Sequence, residues 1–137
     1  MYSHDVQLRV RYGETDQMGY LYYGRYAEYF EVGRVETIRS LGLSYKTLEE
    51  EYGIWLPVVS MEMRFVRPAY YDDVLTVHTE IRKLPDAYIT FHSELFNDTR
   101  KLVNAGTVRL CFFAARKKKV VLAPQLLIDQ LNPYFNP

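Results

Sequence analysis

Asp16 and the residues that follow it have the types and spacing to do acyl-transfer chemistry. The stretch reads Thr15-Asp16-Gln17-Met18-Gly19-Tyr20-Leu21-Tyr22-Tyr23-Gly24-Arg25-Tyr26. A carboxylate can attack an acyl carbon, or take a proton from the water that does so. The same chemistry needs hydrogen-bond donors aimed at the oxygen on which negative charge collects. The first N–H groups of a helix have no acceptor within it, and a helical pattern starts near Tyr23. No Ser, Thr, Asp or Asn stands there as an ordinary cap. The amides of Tyr23 and Gly24 are therefore candidate oxyanion donors, and Gly24 lets a ligand approach the backbone closely. A structural reading stays open beside this one. Asp three residues before Gly is a common turn, and Gly is itself an acceptable helix cap.

The surrounding elements must position that pair. Val6, Leu8, Val10 and Tyr12 alternate with Asp5, Gln7, Arg9 and Arg11, which predicts a half-buried strand. Asp16 to Gly19 reads as a turn. From about Tyr23 to Leu41 the period becomes helical, with Tyr26, Ala27, Phe30, Gly33, Ile38 and Leu41 on an apolar side. Glu28, Glu31, Arg34 and Glu36 supply the charged side. Ser44 to Gly53 suggests a short second helix. Ile54–Val66, Val74–Lys83, Tyr88–Asn97 and Val103–Ala115 read as strands, joined in part by turns at Pro85-Asp86 and Asn97-Asp98. Arg116–Lys119 reads as a solvated loop and Pro124–Leu131 as a short closing helix. A twisted sheet with one apolar face has to cover it, and the long helix is the only large element available. The expected class is α+β: a five-stranded antiparallel sheet wrapped around one long helix, as a single domain over residues 1–137.

Composition narrows the function classes. Seventeen basic residues balance seventeen acidic ones, so no global field advertises nucleic acid or an anionic membrane as partner. Thirteen Tyr and seven Phe in 137 residues favour subunit contacts or an apolar pocket as well as a core. The lone Cys111 excludes an intramolecular disulfide and sits in an apolar strand. The N-terminus has no secretory pattern and no apolar run spans a bilayer, so a cytoplasmic protein without membrane insertion is expected. His4, His78 and His92 do not group, no Cys or His spacing suggests zinc, and no metal is expected.

The run Thr15-Asp16-Gln17-Met18-Gly19, then Tyr22-Tyr23, Tyr26, Tyr29-Phe30-Glu31 and Arg34, resembles the signature of the hot-dog thioesterases. The likeness is to the branch that includes 4-hydroxybenzoyl-CoA thioesterase and related bacterial acyl-CoA thioesterases. Arg67-Pro68-Ala69-Tyr70-Tyr71-Asp72-Asp73 looks like the family's connection into its third strand. The resemblance implies the hot-dog fold with strand order 1-3-4-5-2, and hydrolysis of an acyl-CoA. It makes Asp16 the catalytic carboxylate and gives the Tyr23 amide the role of polarising the thioester carbonyl. It also implies sheets joined edge to edge in a homodimer or homotetramer, with the site at the interface. Coenzyme A would enter as part of the substrate, and no separate cofactor is implied.

Gly19, Tyr22, Arg25 and Tyr26 are the candidate substrate contacts around that pair, with Arg82 and Lys83 as candidates for the coenzyme A phosphates. The chain departs from the family pattern at two places. Many relatives carry His at Tyr23, although the 4-hydroxybenzoyl-CoA type has Tyr, and many carry Asn at Arg25. Both bear on substrate choice more than on reaction class. Four rivals stand beside hydrolysis of acyl-CoA, one of them a purely structural or interaction domain, which the uncapped helix beside Asp16 makes less attractive. The protein could bind an acyl-CoA or an acyl carrier without cleaving it, or act on an acyl carrier protein. A hot-dog hydratase is disfavoured because that chemistry wants a His beside the acid, and none lies between His4 and His78.

Overall fold

The computed structural model describes every residue from Met1 to Pro137. Alternation makes β1 (Tyr2–Arg9), in which every second residue is half-buried. The strand ends earlier than its pattern predicts. Val10 is buried and its N–H donates to the Asp73 carbonyl, while Tyr12 opens a 3-10 turn (Tyr12–Glu14) and is 77% exposed. A second 3-10 turn (Tyr23–Arg25) leads into α1 (Tyr26–Ser40), so the expected helix begins one tight turn late. α2 (Tyr45–Tyr52) is capped by Ser44, whose hydroxyl accepts from the Thr47 N–H, and closed by Gly53 at φ 65°.

The expected strand over Ile54–Val66 is two, β2 (Ile54–Trp55) and β3 (Val58–Phe65). Pro57 lies between them, where it has no N–H to give to a ladder, and its carbonyl accepts instead from Cys111. β4 (Val74–Ile81), β5 (Tyr88–Phe96) and β6 (Leu102–Ala114) follow as expected. The basic loop turns back sooner than its charge suggests, because Lys119 already belongs to a short strand, β7 (Lys119–Val121). α3 (Gln125–Phe135) starts after Pro124 and runs past Leu131.

All pairings are antiparallel, and the five long strands lie in the order β1-β4-β5-β6-β3. Numbered along the chain this is 1-3-4-5-2. β2 and β7 flank the far end of β6. Leu75, Val77, Ile81, Ile89, Phe91 and Leu95 point inward from β4 and β5 onto α1, and alternate with less buried residues. This sheet around a helix is the hot-dog fold. Two apolar clusters fill it, one around Tyr26, Tyr29 and Phe30 at the start of α1, the other around Ile38 at its end. No helix is long and apolar enough to cross a membrane.

Arg34 corrects the charged side drawn from the sequence. It is only 4% exposed, because it falls four residues from both Phe30 and Ile38 and so shares their buried stripe. Its Nη2 lies 3.9 Å from Glu31, while Nε and Nη1 have no partner in the protein. The neighbouring Tyr45 phenol, at the start of α2, is pushed up to about 12, chiefly by burial.

Gly33 sets how closely α1 approaches β4. A Cβ there would stand 2.5 Å from Val77 Cγ1 and 2.7 Å from Thr79 Oγ1. Gly33→Ala gains about 0.5–1 kcal/mol of helix propensity but overpacks a filled core at a cost of about 1–3 kcal/mol. The variant is expected to be net destabilised by about 1 kcal/mol, read as a lower midpoint in denaturant unfolding.

On the outer face His78 reaches Asp5 across the β1–β4 pair, and its Nε2 lies 3.0 Å from Glu80. Glu94 of β5 stands opposite it in register. Burial works against the imidazolium, but the bonds to Glu80 and Asp5 win and hold the pKa above its ordinary 6.5. A raised folded pKa stabilises while the group is protonated. That contribution is complete below pH 6.5 and is lost as pH rises through the folded value. Thermal stability is therefore expected to fall on the alkaline side of pH 6.5, with His78→Gln flattening the fall in melting curves taken across it.

Candidate active site

Asp16 is held in its turn by its own backbone and by two amides. Its N–H donates to Tyr20 at 2.8 Å, and its carbonyl accepts from Gly19 at 3.0 Å. Gly19 has φ 82°, a left-handed conformation that glycine adopts without strain. Asp16 Oδ1 accepts from the N–H groups of Met18 (2.9 Å) and Tyr20 (3.1 Å). Oδ2 has no hydrogen-bond partner in the protein, and the side chain is half-buried. One oxygen is thus fixed and the other is left available.

The chain then returns beside itself. Thr15 bridges to Leu21 and Tyr20 to Tyr70, and the Leu21 N–H donates to Ala69 at 2.7 Å. Asp16 directly follows Thr15, and Tyr23 lies two residues beyond Leu21. The bridge therefore brings the carboxylate and the helix start to the same end of the sheet. The Tyr22 N–H donates to the Glu14 carbonyl at 2.9 Å, and the Arg25 N–H to Tyr22 at 2.9 Å. The N–H groups of Tyr23 and Gly24 have no backbone acceptor, and no side chain caps either Tyr22 or Arg25. Tyr22, Tyr23 and Gly24 are exposed, with the two tyrosine rings 4.7 Å apart.

Tyr26 closes the floor, 3% exposed. Burial raises its phenol pKa, the Asp16 charge acts in the same direction, and a hydrogen bond with the Ala69 backbone opposes them. The phenol stays neutral beside the carboxylate. Arg25 is engaged by Glu28, with its Nη1 3.2 Å from both carboxylate oxygens. Arg82 and Lys83 lie elsewhere. β4 leaves the site end at Val74 and carries them to its opposite end, about 26 Å away at ordinary strand rise. Arg82 there donates to Glu80 at 3.0 Å. Within one chain Asp16, Gly19, Tyr22, Tyr23, Gly24 and Tyr26 lie on the loop and helix start at one end of the sheet, Arg25 is turned to Glu28, and Arg82 and Lys83 follow the far end of β4.

Sequence reasoning missed Glu14. It is 5% exposed and its carboxylate accepts from the Arg11 N–H (3.0 Å), Arg11 Nη2 (3.0 Å) and the Tyr29 hydroxyl (2.6 Å). Burial opposes its charge, yet the bonds from Arg11 and Tyr29 prevail and hold it below the usual carboxylate range. Arg11 three residues earlier was a usable signal for a charge-paired turn. Tyr29, fifteen residues away in sequence, was not.

The sequence profile of the thioesterase-like superfamily matches residues 10–131. The chain belongs to that superfamily. Among this thioesterase-like chain's relatives is the acyl-CoA thioesterase YbgC of Haemophilus influenzae, 34% identical over 118 residues that cover 86% of each protein. A DHNA-CoA thioesterase structure from Staphylococcus aureus superposes with a TM-score of 0.84 and 30% identity, covering 98% of this chain and 85% of that one. A 4-hydroxybenzoyl-CoA thioesterase solved with 4-hydroxybenzoyl-CoA superposes with a TM-score of 0.86, covering 95% and 99%. At 22% identity that likeness speaks for the fold alone.

Proposed function

We propose that the chain hydrolyses acyl-CoA thioesters to a free acid and coenzyme A, acting as a homodimer or a larger assembly of dimers. One observation carries the chemistry: Asp16 has one oxygen pinned by two amides and the other free, in a loop whose Thr15–Leu21 bridge leads directly to two helix-start amides with no acceptor. Oδ2 attacks the thioester carbon to give an acyl-aspartyl anhydride that water then cleaves, or it takes a proton from water as the water attacks. In either route the carbon–sulfur bond breaks and the thiolate leaves with the electron pair. The Tyr23 and Gly24 N–H groups hold the oxygen as it becomes negative. Losing one such donor typically costs about 3 kcal/mol of barrier, more than the ~0.3–1 kcal/mol that a helix dipole gives an exposed anion. The names of the relatives support acyl-CoA as substrate, and those names include both YbgC and a DHNA-CoA thioesterase. Tyr22, Tyr26 and Arg25 would then meet the acyl or pantetheine portion.

The dimer reading rests on the edge of β3. That strand pairs only with β6, and Val58 (47%), Val59 (49%) and Phe65 (54%) are exposed along it. An open apolar strand edge is unfavourable in water, and pairing with a second copy about a two-fold axis closes it without leaving a new edge.

Free-thiol release from a panel of short, long and aromatic acyl-CoAs is expected to be detectable and to fall at least about 100-fold in Asp16→Asn. Full activity in that variant would overturn the role of Asp16. Acyl-CoA binding with no thiol release from any substrate would show a binding protein instead. Val59→Lys places a charge on the β3 edge. It is expected to shift the mass in light scattering from dimer to monomer and to lower activity with it.

A further inference from the structure

Glu14 is the only buried carboxylate in the chain, and the proposed hydrolysis does not use it. Its contacts join the two halves of the site. Its side chain accepts from the Tyr29 hydroxyl at 2.6 Å, the one side-chain hydrogen bond between the loop of residues 11–22 and α1. Its backbone carbonyl accepts from the Tyr22 N–H at 2.9 Å, immediately before the free amides of Tyr23 and Gly24. Asp16 follows two residues later. The loop's other ties, through Tyr20 and Leu21 and through Val10 just before it, run to Ala69, Tyr70, Asp72 and Asp73 at the end of the sheet and not to α1. Without the Glu14 side chain, the loop's own backbone bonds and its ties to the sheet would remain, but no side chain would join the loop to the body of α1.

We propose that Glu14 is a positioning residue, a clamp that fixes the Asp16 turn against the start of α1 through Tyr29. The proposal rests on the assignment of Asp16 and of the Tyr23 and Gly24 amides made above. The arrangement suits the task. A buried carboxylate must keep its partners, because losing one leaves an uncompensated charge. The clamp is therefore closed at all times and holds its geometry before substrate arrives. Placement errors near 1 Å can cost about 100-fold in rate, so a rigid tie at this point matters more than its single hydrogen bond would suggest.

The test compares Tyr29→Phe, Glu14→Ala and Glu14→Gln with the wild type and Asp16→Asn on the best acyl-CoA. Tyr29→Phe and Glu14→Ala are expected to lower kcat about 10- to 100-fold with little change in KM, and both also lower the melting temperature because each breaks a buried charged network. Glu14→Gln keeps an oxygen for the Tyr29 hydroxyl and is expected to recover most of kcat. The double variant Glu14→Ala/Tyr29→Phe should be no slower than Glu14→Ala alone, since both remove one interaction. Amide hydrogen exchange gives a readout independent of turnover: the Tyr22 N–H should exchange faster in Tyr29→Phe. If Glu14→Ala does not fold, Tyr29→Phe decides. Unchanged kcat in Tyr29→Phe, with Asp16→Asn inactive, would overturn the clamp and leave the hydrolase reading standing. An active Asp16→Asn would instead overturn that reading, and the Tyr22 exchange rate would then decide whether Glu14 holds the loop.

Discussion

A helix lies against a sheet only as closely as the side chains between them allow, and in this chain two glycines set that distance. Gly33 brings the backbone of α1 down onto Val77 and Thr79 of β4. Gly106 on β6 makes room for the Phe30 ring, which a Cβ would meet at 2.7 Å. With the helix seated this low, Phe30 and Ile38 are fully buried against the curled sheet, and one helix can serve as the core for five strands. The start of α1 is then committed to a fixed place at the sheet's end. The loop carrying Asp16 has to reach that place, because it connects β1 on the sheet to α1 beneath it. The geometry of the candidate site follows from the packing of the core.

Two carboxylates in that loop have been put to opposite uses by their surroundings. Glu14 is buried and takes three donors, so it is fixed as an anion and unavailable to anything else. The Tyr29 phenol that serves it is driven far above its ordinary pKa, by burial first and by its hydrogen bond to Glu14 second, and stays a donor throughout. Asp16 is half-buried and has donors on one oxygen only. An acid that is partly satisfied and partly free can be oriented and still react, whereas one as fully paired as Glu14 cannot. The difference lies in the turn each occupies, since only two residues separate them.

What was legible in the sequence was whatever local geometry dictates. The period-2 patterns of β4 and β5 gave the inner face correctly, Ser44, Asp86 and Asn97 marked their caps and turns by side-chain chemistry, and Gly53 marked its cap by backbone freedom. The missing cap at Tyr23 was visible as an absence, and the structure bears it out in amides with no acceptor. Long-range choices were hidden. Arg34 reads as surface because it is charged, yet its spacing from Phe30 and Ile38 was the stronger indication. β7 exists because β6 extends past the end of β5 and offers an edge on that side, which no three-residue pattern announces. Arg82 and Lys83 were chosen for their charge and their place at a strand end, and the length of β4 carries them away from Asp16 within the same chain.

The exposed rim of the site gives the remaining step. Tyr22, Tyr23, Tyr70 and Met18 leave large apolar surfaces in water around Asp16, at the end of the sheet where Phe65 finishes the open β3 edge. Backbone donors stabilise a developing oxyanion far better in a dry site than in one open to solvent, because water screens them and competes for the same oxygen. On the proposed reading, the contact that hides the β3 edge would also cover this rim. Assembly would then act on the chemistry as well as on stability, removing water from the Tyr23 and Gly24 amides while burying the aromatic surface. On that reading the single chain supplies the reacting groups, and the dielectric they need would come from a second copy.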